Sequence, residues 1–144
     1  MALRQQIGDD SKTVKTLNDI GIICDEKDDY QKAMEYYFEA RRIFERLNDR
    51  SKIAMGISNI GIVLKAQKEY KKVVGYYHEA LSIYQSLGNK FGVAACHANL
   101  GSVYFYLPNY DSSIYYSLLA TREFEEQNNR QFFSNIIGEC WNGL

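Results

Sequence analysis

The chain has 144 residues, enough for one domain with a real core, and its formal net charge of −1 gives no electrostatic reason to expect nucleic acid or an anionic membrane as partner. No apolar run approaches the roughly 20 residues of a membrane span, and no charged-then-apolar leader opens the sequence. The three cysteines, Cys24, Cys96 and Cys140, show no C-x-x-C spacing, which fits a reducing, cytoplasmic setting and argues against a disulfide framework or a thiolate metal site.

The only proline is Pro108, and so few breakers favour an all-helical reading. Ile7-Gly8-Asp9 falls in phase with Leu47-Asn48-Asp49 and Leu87-Gly88-Asn89, where Gly or Asn takes the left-handed helix stop. The chain is therefore expected to open on the tail of a preceding unit, as a segment of a longer array. A helix follows from about Ser11 to Glu26, with Val14, Leu17, Ile20 or Gly21, and Cys24 on one stripe. Lys27-Asp28-Asp29 turns the chain into a second helix, from Tyr30 to Leu47. Its buried side carries Ala33, Met34, Tyr37, Ala40, Phe44 and Leu47, and Arg41, Arg42, Glu45 and Arg46 read as its solvated side. Ser51 is placed to cap the next helix, which runs to Ala66, and another runs from Tyr70 to Leu87. Helices from Phe91 to Tyr106 and from Tyr110 to Gln127 flank Pro108, at a point where a missing N–H is expected to cost nothing. A last helix starts near Arg130 and passes Trp141.

These elements repeat. Gly21, Gly61 and Gly101 are spaced by 40 residues, and Tyr30, Tyr70 and Tyr110 keep the period, as do Ala40, Ala80 and Ala120. A fixed period of this size marks stacked units. The expected organisation is one array over residues 1–144, with repeats at 11–50, 51–90 and 91–129 and a terminal helix at 130–144. A glycine inside a helix costs about 1 kcal/mol against alanine. Three of them at one phase imply close approach of the first helix of each pair to the second.

The glycine also fixes the outward face. Two residues earlier on a helix is roughly 200° away, so Asp19, Asn59 and Asn99 point away from the partner helix. Their three- and four-residue neighbours complete the face. These are Lys15, Ile22 and Glu26, then Met55, Ile62 and Ala66, then Ala95, Ser102 and Tyr106. The two asparagines carry both a donor and an acceptor and suit an extended main chain; the alternative is that they bond to neighbouring helices or to water.

Ile20-Gly21, Ala33, Tyr37 and Ala40 resemble the signature of the tetratricopeptide repeat family, and so do Ile60-Gly61, Val73, Tyr77 and Ala80. Leu100-Gly101, Ser113, Ser117 and Ala120 repeat it more loosely, so the third unit is expected to pack less tightly. The period of 40 exceeds the family's usual 34, and the boundary proline is missing. The resemblance implies a right-handed α-solenoid whose concave groove binds a peptide or helix of a partner protein. The groove residues it implies are Lys15, Asp19, Ile22, Met55, Asn59, Ile62, Asn99, Ser102 and Tyr106. The family's clamp for C-terminal carboxylates needs more groove lysines, arginines and asparagines than Lys15 and Lys65 beside Ala95 and Ser102 supply.

Catalytic chemistry is not indicated. There is no G-x-x-x-x-G-K-[ST] phosphate loop, no G-x-S-x-G elbow and no metal spacing around His78 or His97. His97 is expected to be a satisfied or half-buried histidine. Neither an enzyme nor a cofactor is expected. The alternative function is a regulatory segment of a larger signalling protein. A terminal helix with nothing to cover it would leave its burial unused. For about 400 Å² of apolar surface at roughly 25 cal/mol per Å² that is about 10 kcal/mol. Self-association through uncapped ends, by stacking or by exchange of the terminal helix, is expected.

Overall fold

The backbone keeps a cadence of 20 residues, half the sequence period. Asp29, Asp49, Asn89 and Asn109 each accept a bond from the backbone N–H three residues on, the N-cap role of short polar side chains. Glu69 holds the same place without a side-chain bond. From these starts run α1 (Tyr30–Arg46), α2 (Arg50–Ala66), α3 (Tyr70–Ser86) and α4 (Lys90–Tyr106), each of 17 residues, and α5 (Tyr110–Asn142). The computed structural model describes residues 12–13, 15–22, 24, 27 and 29–142, the backbone alone at 129 and from 131 to 142. Residues 15–22 are helical, and Ser11, Val14, Glu26 and the Ile7-Gly8-Asp9 signal lie outside the described residues.

Each helix packs on the next, in sequential antiparallel pairs that make an all-α stack of about three repeats. The core is continuous through the stack. Ala33 and Tyr37 of α1, Ile57 and Ile60 of α2, Val73 and Tyr77 of α3, and Cys96 and Leu100 of α4 all belong to one buried cluster. A smaller cluster of Ala40, Ile43 and Phe44, flanked by Leu47 and Ile53, joins α1 to α2.

The stops are as regular as the starts. Asn48, Lys68 and Gly88 take φ of 52°, 63° and 65°. Each donates its N–H to the carbonyl three residues back, and the following residue donates to the carbonyl five back. This is the Schellman stop, which satisfies carbonyls at a helix end. Pro108 occupies the same place at φ 20°. The ring prefers about −65° and offers no N–H, so the first of the two bonds is missing there while Asn109 still donates to Tyr104. The proline therefore does cost something, contrary to the sequence expectation.

The glycines do what their phase implies. A Cβ on Gly61 would lie 2.7 Å from Cε1 of Tyr77, and one on Gly21 would lie 2.7 Å from Cε1 of Tyr37. In the third pair a serine replaces the tyrosine, and the helices come closer instead of packing more loosely. A Cβ on Gly101 would meet Oγ of Ser117 at 2.5 Å and the backbone of α5 at 3.1 and 3.2 Å. Ser113 Oγ also donates to the Gly101 carbonyl at 2.7 Å.

Three other expectations are corrected. Ser51 is exposed inside the first turn of α2, and Asp49 is the cap. Arg41 is only partly solvated: it donates to Glu79 of α3 and to Glu45, each at 2.9 Å, and so ties α1 to the next repeat. The expected break between Gln127 and Arg130 is absent, because α5 is one helix of 33 residues. Asn128 and Asn129 have local chemistry similar to the stop at Asn48 and Asp49, yet the helix continues through them.

Four substitutions test these points by urea or thermal unfolding. Gly61→Ala is expected to lose about 1–3 kcal/mol through overpacking against buried Tyr77, and Gly101→Ala more, because its Cβ meets backbone. Gly75→Ala, with nothing within 4 Å of the added carbon, should gain up to about 1 kcal/mol. Pro108→Asn, which restores an N–H and a residue that accepts the left-handed region, should gain about 1 kcal/mol.

Candidate functional site

The small residue in each pair turns the opposite face of the first helix outward. That face runs along residues 15–22, α2 and α4. Ile22, Met55, Ile62 and Tyr106 are each 40–51% exposed, far more than apolar residues of this size need to be in a stacked helix. Lys15 and Asp19 are exposed too, while Asn59, Asn99 and Ser102 are half-buried. The structure brings part of this set into contact. Asn59 Nδ2 donates to Asn18 Oδ1 at 2.8 Å, and Lys65 Nζ donates to Ser102 Oγ at 2.6 Å. Asn59 and Ser102 thus join successive first helices and are not free hydrogen-bonding groups. Asn99 makes no side-chain hydrogen bond to the described residues.

An aromatic group closes one end of the face. Tyr106 stacks on Tyr70 with centroids 4.9 Å apart and planes 5° apart, and Lys65 Nζ lies 5.9 Å from the Tyr106 ring. Phe105 meets Tyr106 and Tyr110 edge to face at 5.7 and 5.9 Å. Phe105 and Tyr110 are more than half exposed. Sequence spacing missed both, because each lies one step off the stripe and joins it only when α4 ends and α5 begins.

The residues tempting for catalysis are occupied. His97 is 6% exposed and its Nδ1 lies 2.7 Å from Glu123 Oε2, so it is the satisfied histidine its position implied. Burial pushes the Cys96 thiol up to about 11, which keeps it protonated and a poor nucleophile at neutral pH. Among the described residues no group of three or more His, Cys, Asp or Glu is arranged to hold a metal ion, and no helix is long and apolar enough to cross a membrane. A cavity of about 350 Å³ lies between the α3–α4 turn and α5. Its charges are mixed, with Lys90 and Arg130 beside Glu123 and Glu126, and it shares no residue with the outward face.

Helix pairs of this kind, stacked side by side with one face of every first helix left open, define a helical repeat scaffold. The fold is that of tetratricopeptide-repeat proteins. Solved structures match it at low identity. The tetratricopeptide-repeat domain of Arabidopsis FLU has a TM-score of 0.75 at 14% identity, over 81% of this chain and 98% of that one. A Rap protein in complex with competence and sporulation factor has a TM-score of 0.74 at 20% identity, over 83% of this chain and 34% of that one. The TPR2AB domain of yeast Sti1, in a pHSP90 complex, has a TM-score of 0.67 at 14% identity, over 90% of this chain and 51% of that one. The chain also spans 48% of the length of BtubC from P. vanneervenii. No family model matches the sequence, and no curated protein does.

The buried thiol and phenol make stability fall in alkali. Burial holds Tyr77 up at about 12 and Cys96 at about 11, against ordinary values of 10.0 and 9.0. The unfolded chain loses these protons first, so unfolding becomes easier as pH rises from about 9 to about 12. Denaturant midpoints taken across that range should decline, and Tyr77→Phe should flatten the upper part of the decline.

Proposed function

We propose that the chain is a non-catalytic interaction module that holds a peptide or helix of a partner protein along the open face of its first helices. The observation that carries this reading is the exposure of Ile22, Met55, Ile62 and Tyr106 on one face, interleaved with polar groups such as Lys15, Asp19 and Asn99. Apolar side chains left in water along one continuous strip lose favourable burial, and a partner's side chains restore it. The Rap protein and Sti1, which share the fold, are seen in complexes with competence and sporulation factor and with pHSP90 respectively. The contacting residues on this reading are Lys15, Asp19, Ile22, Met55, Ile62, Asn99 and Tyr106. Asn59 and Ser102 line the strip but spend their hydrogen bonds on neighbouring repeats.

A second reading is a regulatory segment of a larger signalling protein. A Rap protein that shares the fold was solved in complex with competence and sporulation factor, and the chain covers 34% of it. On this reading the same strip would receive a peptide, and the response would lie in the rest of the protein.

The test is selection of binding peptides from a displayed library, followed by titration of the best with purified variants. Asn99→Ala should weaken binding by about 1 kcal/mol or more, the scale of a lost hydrogen bond. Tyr106→Ala and Ile62→Asp should weaken it further, while Asn59→Ala should matter less and Glu39→Ala, outside the strip, not at all. Peptides whose affinity ignores every variant on the strip would overturn the reading.

A further inference from the structure

Among the described residues no neighbour calls for Gly75. It lies inside α3, where a glycine costs about 1 kcal/mol against alanine. Gly21, Gly61 and Gly101 each face a partner helix closely, but a Cβ on Gly75 would meet nothing within 4 Å. The missing side chain leaves a hollow of about 280 Å³ on the outer face of the stack, lined by Lys72, Gly75, Tyr76 and Glu79.

The same phase on α5 carries the opposite shape. Tyr115 stands 40 residues after Gly75 and is 62% exposed. This position faces outward whether or not another pair follows. Glu35 of α1 and Gly75 of α3 hold it too and are exposed, although each of those helices has a further pair stacked beyond it. The Tyr115 ring is steadied by Tyr116, edge to face at 5.2 Å. Tyr76, the counterpart of Tyr116, forms one wall of the hollow. A ring entering the hollow therefore meets the kind of aromatic neighbour that Tyr115 already has.

We propose that the outer face of α3 and α5 binds a second copy of this chain, with Tyr115 of each copy seated in the Gly75 hollow of the other. α3 and α5 run parallel, because each packs antiparallel on α4. Tyr115 and the hollow thus lie at one height on parallel helices. A two-fold axis along the helix direction, midway between them, lays α5 of each copy on α3 of the other in register. Both rings are then seated at once, and the interface is isologous and closed. The charges fit the same placement. Exposed Asp111, one turn before Tyr115, comes to Lys72, one turn before Gly75. Exposed Arg122, two turns after Tyr115, comes near Glu79, one turn after Gly75, and its length spans the difference. The side chains of Lys72 and Glu79 are 64% and 45% exposed beside Glu69 and Arg41, which leaves room for a second ion on each. An unrelated partner would have to supply the ring and both charges; this chain carries all three at the required spacing. The open strip of the first helices takes no part.

Light scattering over a concentration series of the 144-residue chain tests this. The parent should rise from one to two masses of a 16.7 kDa chain. Gly75→Gln fills the hollow with a good helix former. It should keep one chain mass where the parent is dimeric, while its thermal midpoint in dilute solution equals or exceeds the parent's. Lys72→Glu and Asp111→Lys should each raise the dissociation constant about tenfold or more. The double variant, which exchanges the two charges, should restore the dimer, a result that association through other surfaces does not give. A parent at one chain mass at every concentration would overturn the proposal. So would a Gly75→Gln dimer as stable as the parent's, or a double variant no better than either single one.

Discussion

The distance between the two helices of a pair governs everything else in this molecule. It is set where a glycine on the first helix meets the second helix with no Cβ between them. In two pairs the second helix presents the flat ring of Tyr37 or Tyr77, and in the third it presents Ser117 and its own backbone. The two solutions fill the same gap differently. A tyrosine supplies a large apolar surface but holds the helices a ring's thickness apart. A serine supplies little surface and lets the backbones approach, with the Ser113 hydroxyl satisfied by the Gly101 carbonyl. Weakened sequence agreement in the third repeat therefore reads as a change of packing mode and not as a loss of packing.

The 40-residue period, the helix pairs and the direction of each face were legible because they depend on residue type at fixed spacing. The 20-residue cadence was not. Its left-handed stops use Asn48, Lys68, Gly88 and Pro108, and only two of these announce themselves. A lysine at φ 63° is held there by the two backbone bonds of the stop and by the helices on either side, none of which is visible locally. Arg41 illustrates the same limit. Its neighbours in sequence make it look solvated, and only stacking brings Glu79 within 2.9 Å. The unbroken α5 is the clearest case, since Asn128 and Asn129 repeat a signal that stops a helix elsewhere in the chain.

At the candidate groove, direction is legible from helical spacing and company is not. Helical spacing tells which way Asn59 and Ser102 project. It does not tell that Asn18 and Lys65 project from adjacent helices toward the same points. These two bonds run across the open face from one repeat to the next, and they change what the face can offer. A ligand amide that displaced Asn18 from Asn59 would trade one hydrogen bond for another, with little net gain. Groups already satisfied between repeats position the strip more than they bind to it.

On the proposed reading, affinity along such a face would come from groups with nothing to give up. Ile62 and Tyr106 lose water and no protein partner when covered, and burying a large apolar side chain is worth about 1.5–3 kcal/mol. The Tyr106 ring is also fixed in advance by its stack on Tyr70, so little rotamer freedom remains to be lost on binding. Asn99, half-buried and without a described partner, is the one amide on the strip whose new hydrogen bond would replace only water. Because each repeat contacts only its neighbours, a ligand that spans α2 and α4 also adds to the contact between them. Occupancy of the face and rigidity of the stack should rise together, through the same short bridges that tie Asn18 to Asn59 and Lys65 to Ser102.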